Sequence, residues 1–179
     1  MLMTEKMIIE AALQAGFEGA AIVKTDDIPF DFAFRRYCEE NVCGQYGANY
    51  SCPPDCGTCE QLRGRVLQRK RALVVQSVNK ITDFSAPEIQ SAKSRHCNFA
   101  VELEKKLKTS GVEGFTVGAC GCTLCEPCAK KQNLPCKFPE HRYSCMSAYC
   151  INVKALCDTC GLIYDCSPHL ALFGMYVFD

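Results

Sequence analysis

The sequence has little that points to several common classes of function. Its 20 lysine and arginine residues are balanced by 20 aspartate and glutamate residues, so no net charge favours nucleic acid or an anionic membrane as a partner. No apolar run approaches the length of a membrane span, and the first ten residues mix acidic with apolar side chains, unlike the core of a signal peptide. These absences predict a cytoplasmic protein with neither a nucleic-acid partner nor a membrane partner.

The standard catalytic motifs are also missing. The chain contains no nucleophile-elbow sequence, no P-loop and no glycine-rich dinucleotide-binding motif. Its three histidines, His96, His141 and His169, are not spaced with another histidine or a glutamate as a zinc enzyme requires. The sequence therefore does not decide whether the protein is an enzyme, and it names no catalytic residue.

Sixteen cysteines among 179 residues are the dominant feature of the chain. Such a density is typical of small secreted proteins that are held together by disulfides. This chain, however, is long enough to bury a hydrophobic core. Many of its cysteines are separated by only two residues, which suits metal ligation and would make very short disulfide loops. We therefore interpret the cysteines as thiolate ligands in a reducing compartment.

The most specific motif lies in the segment 118–139. It contains Cys122, Cys125 and Cys128 in C-x2-C-x2-C spacing, followed by Cys136. Three closely spaced thiolates on a tight loop, joined by a fourth, resemble the way ferredoxin loops hold a [4Fe–4S] cluster. A zinc site more often combines two separate C-x2-C units. The segment therefore favours an iron–sulfur cluster, with a four-cysteine zinc site as the alternative.

A second candidate site lies upstream and consists of Cys38, Cys43 and Cys52, with Cys56 as the fourth ligand and Cys59 as its competitor. The spacings match no standard zinc finger. The segment is rich in glycine and proline, so bound metal is expected to supply its order. An iron atom with an open coordination position, at which substrate binds, is an alternative arrangement.

The remaining cysteines have less certain roles. Cys157 and Cys160 form another C-x2-C pair, which suits a zinc site shared with Cys56 and Cys59, a redox dithiol or two buried free thiols. No βαβ pattern precedes the pair, which disfavours a thioredoxin-like dithiol. Cys97 lies in a predicted helix and is expected to be a small core residue. The last five cysteines, whose roles stay open, are Cys145, Cys150, Cys157, Cys160 and Cys166.

Hydrophobic periodicity predicts an α/β or α+β fold with about four strands in one sheet, flanking helices and two cysteine-rich metal-binding loops. The predicted helices cover residues 4–15, 59–69, 86–110 and 147–156, with a further short helix from residue 32. The predicted strands cover residues 19–24, 72–78, 114–119 and 171–178. No linker divides the chain, so residues 1–179 are predicted to form a single domain.

Two segments of this sequence together resemble the motifs of one prokaryotic family. They are Cys-Glu-Glu-Asn-Val-Cys-Gly-Gln-Tyr-Gly-Ala-Asn-Tyr-Ser-Cys-Pro-Pro at 38–54 and the cysteine segment at 122–144, and residues 173–178 are similar to the family's ending. The family is DUF2284, described as predicted metal-binding proteins. The resemblance implies metal binding and assigns no reaction. It implies ligands at Cys38, Cys43, Cys52, Cys122, Cys125, Cys128 and Cys136. The chain departs from the family pattern at Cys145 and Cys150, where other residue types are expected.

These observations predict a protein that binds two [4Fe–4S] clusters and transfers electrons to an unidentified redox partner protein. Two alternatives stay open. One is a zinc-binding structural or interaction module. The other is an iron–sulfur reductase with substrate at an open iron near Cys52.

Overall fold

Four antiparallel strands form a sheet at the centre of the computed structural model, which describes residues 3–81 and 86–179. The strands are β1 (Gly19–Lys24), β2 (Arg71–Asn79), β3 (Gly114–Val117) and β4 (Leu170–Phe178), and their order across the sheet is β1-β2-β4-β3. Because neighbouring strands are antiparallel, the fold is α+β, which confirms one of the two predicted classes. The assignment of residues 1–179 to a single domain remains a prediction.

The described residues contain five α-helices: α1 (Glu5–Ala15), α2 (Arg35–Glu39), α3 (Cys59–Leu67), α4 (Ala86–Thr109) and α5 (Val153–Cys160). Local signals set several of their ends. Thr4 caps α1 by accepting a hydrogen bond from the Met7 amide, and Gly16 ends the same helix in the left-handed conformation. Thr58 and Gln61 form a capping box at the start of α3. None of the helices in the described ranges is long and apolar enough to cross a membrane.

The sheet is buried on both faces. On one face, Leu73 and Val75 of β2 belong to the same hydrophobic cluster as residues of α1 and α4. On the other face, Ala72 and Val74 pack in a cluster that includes Leu156 of α5 and residues of α3. Side chains of a strand point alternately to the two faces, and both faces are apolar here. This is why β2 is a continuous apolar run in the sequence.

One predicted helix starts later than expected. The segment 147–156 was predicted to be helical, but α5 begins at Val153, where the Asn152 side chain accepts a hydrogen bond from the Ala155 amide. Cys150 lies in the left-handed region at φ 57°, and Ile151 forms a bridge with Phe30. A helix cannot pass through a left-handed residue that also pairs with a distant segment. The apolar spacing of this segment therefore reflects packing in the core rather than a helix.

Candidate metal centre

The two predicted cysteine-rich loops pack directly against each other. Asn49 Nδ2 donates a hydrogen bond to the Cys122 carbonyl at 3.1 Å, and the Cys122 amide donates to Ser51 Oγ at 2.8 Å. Ser51 Oγ in turn donates to Asn49 Oδ1 at 2.9 Å, and both side chains are buried. At the edge of the same contact, the Tyr50 hydroxyl donates to the Leu134 carbonyl at 2.9 Å. This polar bridge ties the upstream loop to the first cysteine of the downstream motif.

A cavity of about 530 Å³ lies between the two loops. Six of the eight predicted ligands line it: Cys38, Cys43, Cys52, Cys122, Cys125 and Cys128. Two cysteines outside the predicted ligand set, Cys120 and Cys145, line it as well. The other two predicted ligands, Cys56 and Cys136, do not belong to its lining. The structure thus brings members of both predicted sites to one cavity.

The upstream thiols form one electrostatic group that includes Cys145. Burial raises the pKa of Cys38 to about 11 and that of Cys52 to about 12, and in both cases the neighbouring Cys145 raises the pKa further. Burial also raises the pKa of Cys145, with smaller contributions from Cys43 and Cys56. Cys145 is therefore a common neighbour of all four residues of the predicted upstream site.

Cys145 is a candidate ligand that the sequence motifs missed. It is held at the end of β3, where Gly118 bridges to it and the Gly118 amide donates to the Ser144 carbonyl at 2.9 Å. The Ala148 amide donates to Cys145 Sγ at 3.4 Å, a contact that stabilises a thiolate. No spacing rule links Cys145 to ligands so far upstream. Only the pairing of its segment with β3 brings it to the cavity.

The downstream motif forms a second group. Burial raises the pKa of Cys122, and the nearby Cys125 and Cys136 raise it further. Cys136 is therefore close to the motif although it does not line the cavity. Cys128 lines the cavity directly before a short 3-10 helix, Ala129–Gln132. All four predicted residues of this site accordingly lie on one loop that leaves the sheet at β3.

Cys59 is placed differently from the other candidates for the upstream site. Its Sγ lies 2.9 Å from Cys150 Sγ, and it does not line the cavity. Its competitor Cys56 is half-buried and interacts with Cys145. Neither residue lines the cavity, and the electrostatic interaction with Cys145 favours Cys56 over Cys59 as an upstream ligand.

The remaining cysteines lie outside the two groups. Cys97 is buried, as expected of a core residue, but its Sγ also lies 3.1 Å from Cys120 Sγ. Cys157 has Cys160 and Cys166 as neighbours, which, together with its burial, raise its pKa to about 12. Within residues 3–81 and 86–179, no three histidine, cysteine, aspartate or glutamate side chains are arranged to hold a single metal ion. The zinc site shared by Cys157, Cys160, Cys56 and Cys59 stays a prediction.

The chemistry of the donors fits a thiolate-bound metal. Soft thiolates select zinc, copper(I) and iron–sulfur clusters, whereas calcium and magnesium prefer oxygen ligands. The cavity is lined by eight thiols and by a single carboxylate side chain, that of Glu126. The residues present are thus suited to hold either an iron–sulfur cluster or zinc.

Comparison with known proteins supports the same chemistry. The model of one family, described as "Predicted metal-binding protein (DUF2284)", matches residues 21–178. No curated protein and no solved structure matches the chain. The matched range includes both cysteine-rich loops and nearly the whole sheet. The chain therefore belongs to the DUF2284 family of predicted metal-binding proteins.

Proposed function

We propose that the protein holds two [4Fe–4S] clusters and transfers electrons to a partner protein. The observation that carries the proposal is the common cavity, on which thiols of two separate loops converge. A single zinc ion draws four donors to one point, whereas a cluster is held by thiolates spread around several iron atoms. The described thiols surround a volume of about 530 Å³. This arrangement favours clusters over zinc.

The upstream cluster is assigned to Cys38, Cys43, Cys52 and Cys56. Cys145 competes with Cys56 for the fourth position, because it lines the cavity and Cys56 does not. The Ala148 amide that donates to Cys145 Sγ is the kind of hydrogen bond that tunes a cluster's reduction potential. The two candidates are therefore distinguishable by substitution.

The downstream cluster is assigned to Cys122, Cys125, Cys128 and Cys136. A bound cluster supplies one-electron oxidation and reduction, and the chain supplies burial and fixed positions for the sulfurs. The Asn49–Ser51 bridge holds the two sites side by side, an arrangement suited to electron transfer. The proposal includes a redox partner protein and a reducing, cytoplasmic compartment. The sixteen free cysteines support the reducing compartment.

The proposal is tested by metal analysis of protein purified without oxygen. We expect about eight iron and about eight sulfide per chain, absorbance near ~400 nm and an EPR signal after reduction. Stoichiometric zinc without iron would replace the proposal with a zinc-binding structural module. Cys38→Ser and Cys125→Ser should each remove about half of the iron, whereas the control Cys160→Ser should retain all of it. Comparing Cys56→Ser with Cys145→Ser then identifies the fourth upstream ligand.

A reductase with an open iron is the second candidate function. Gln90 and Lys93 of α4 line the same cavity as Cys52, so polar side chains are available to bind a substrate there. If one iron is open, a small anionic ligand should change the EPR spectrum of the upstream cluster, and Lys93→Ala should weaken that effect. An unchanged spectrum at saturating ligand would favour simple electron transfer.

A further inference from the structure

We propose that Cys59 and Cys150 are a redox-active dithiol, which hydrogen peroxide converts to an intrachain disulfide. Their Sγ atoms lie 2.9 Å apart, and both cysteines are free. A disulfide bond is about 2.0 Å long, so the sulfurs need to approach by only about 0.9 Å. Neither residue lines the cavity of the candidate metal centre. The pair therefore goes beyond the proposed clusters and does not depend on them.

Arg35 holds a fixed positive charge beside this pair. Its Nε donates to Cys59 Sγ at 3.3 Å. Its Nη2 donates to the carbonyl of Gly57 at 3.3 Å and to that of Ala148 at 3.0 Å. The guanidinium is thus anchored both to the residues before α3 and to the turn that contains Cys150. A fixed cation next to a sulfur stabilises the thiolate, which is the reactive form of cysteine.

Two features of the backbone bring the pair together. Cys59 is the first residue of α3, where the positive end of the helix dipole also favours a thiolate. Phe30 bridges to Ile151, and the Asp31 amide donates to the Cys150 carbonyl at 2.8 Å. This pairing places the start of α2, with Arg35, against the Cys150 turn. The arrangement is built by the fold rather than by flexible side chains.

Cys150 adopts an unusual backbone conformation. Its φ of 57° lies in the left-handed region, which disfavours residues that have a side chain. Strained residues of this kind occur preferentially at functional positions. The conformation of Cys150 places its buried thiol against Cys59. A glycine would fit the backbone with less strain but would offer no second thiol.

The chemistry requires one peroxide molecule as the oxidant. The Cys59 thiolate attacks a peroxide oxygen, the O–O bond breaks, and Cys59 becomes a sulfenic acid while hydroxide leaves and is protonated to water. The Cys150 sulfur then attacks the Cys59 sulfur, the S–O bond breaks, and the leaving hydroxide takes the Cys150 thiol proton and departs as a second water. Two thiols and one peroxide thus give one disulfide and two waters. Cys59 is 9% exposed and Cys150 0%, so a small oxidant is favoured over a bulky disulfide.

The test uses full-length protein, purified without oxygen and with its metal bound. Samples receive increasing peroxide up to about two equivalents per chain, are blocked with N-ethylmaleimide and are analysed as non-reduced peptides by mass spectrometry. We expect the peptide that links Cys59 to Cys150 to appear at the lowest doses. The Cys97–Cys120 pair, whose sulfurs lie 3.1 Å apart, serves as the internal comparison. The proposal is overturned if Cys59 and Cys150 remain alkylated while other thiols become crosslinked.

Two variants test the assigned roles. In Cys150→Ser, the sulfenic acid at Cys59 should accumulate and react with dimedone. Arg35→Gln should slow formation of the crosslink by about tenfold, because the reacting sulfur of Cys59 loses its neighbouring cation. The control is Arg36→Gln, because Arg36 is exposed and its guanidinium contacts the Tyr37 ring and hydroxyl. Equal rates in Arg35→Gln and wild type, with unchanged metal content in both, would refute the role of the guanidinium. Loss of iron without loss of the crosslink would separate this site from the clusters.

Discussion

Removal of the Ser51 hydroxyl should uncouple the two cysteine-rich loops. In Ser51→Ala, the part-buried Cys122 amide loses its acceptor at 2.8 Å, and Asn49 Oδ1 loses one of its two donors. An unpaired buried amide costs about 1–3 kcal/mol, and a neutral hydrogen bond contributes about 1 kcal/mol. Because Asn49 Oδ1 still accepts from the Ser51 amide at 3.0 Å, its share of the loss stays small. We therefore expect the local opening of this contact to become easier by about 1–3 kcal/mol.

Hydrogen exchange measures this effect in the folded protein. Since about 1.4 kcal/mol corresponds to a factor of ten, the peptide over residues 118–125 should exchange about 5 to 140 times faster in Ser51→Ala than in wild type. Peptides from β2 and α4 should be unchanged. The matched control is Tyr50→Phe, which removes the exposed hydrogen bond to the Leu134 carbonyl. This variant should change the exchange of residues 118–125 by much less than Ser51→Ala does.

The result that refutes this reasoning is specific. If Ser51→Ala leaves exchange of residues 118–125 unchanged, the bridge does not hold the downstream loop. If exchange rises but the iron content of both cluster sites stays at the wild-type level, the Asn49–Ser51 bridge orders the loop without contributing to metal retention. A parallel loss of iron would show that metal binding and loop order are one equilibrium.

Three further predictions follow from burial and from the metal ligands. Burial lowers the pKa of His96 to about 4, below its value in the unfolded chain. The stability that depends on neutral His96 is therefore fully present above pH 6.5 and is lost as the pH falls towards 4. The free energy of unfolding should drop by about 2 kcal/mol from pH 7 to pH 5, and by less in His96→Phe. The pKa values of Cys38 and Cys52 are raised to about 11 and about 12, so these thiols are protonated at pH 7 without metal. Metal uptake should therefore release their protons, and the metal affinity measured by calorimetry should increase with pH. A chelator should make segments 38–56 and 120–136 sensitive to limited proteolysis while the sheet stays resistant, and equal resistance with and without metal would contradict this.

Local signals predicted the scaffold of this protein well. The cap at Thr4 and the glycine at Gly16 gave the ends of α1, and the apolar runs gave β1 and β2 almost to the residue. These features depend on neighbours within a few positions, which a sequence displays directly. The order of the strands was not predictable in the same way, because it depends on pairings between distant segments.

The candidate site was predictable only where its ligands are close in sequence. The motif at Cys122, Cys125 and Cys128 is visible from its spacing, and the structure places it on the cavity. Cys145 and Arg35 carry no such signal. Cys145 reaches the cavity through the bridge to Gly118, and Arg35 reaches Cys59 because residues 29–31 pair with residues 150–152. Both placements arise from long-range backbone pairing, which spacing rules do not describe.

The sixteen thiols differ in how the fold compensates a thiolate charge, and this difference separates their roles. Burial raises the pKa values of Cys38, Cys52 and Cys145, so these neighbouring thiols stay neutral until a cation replaces their protons. Metal supplies that cation, and proton release links binding to pH. At Cys59 the fold already provides a guanidinium, and the Cys150 sulfur lies 2.9 Å away. The crowded thiols around Cys145 are therefore suited to bind metal, whereas Cys59, which has Arg35 at its sulfur and Cys150 beside it, is suited to react with an oxidant.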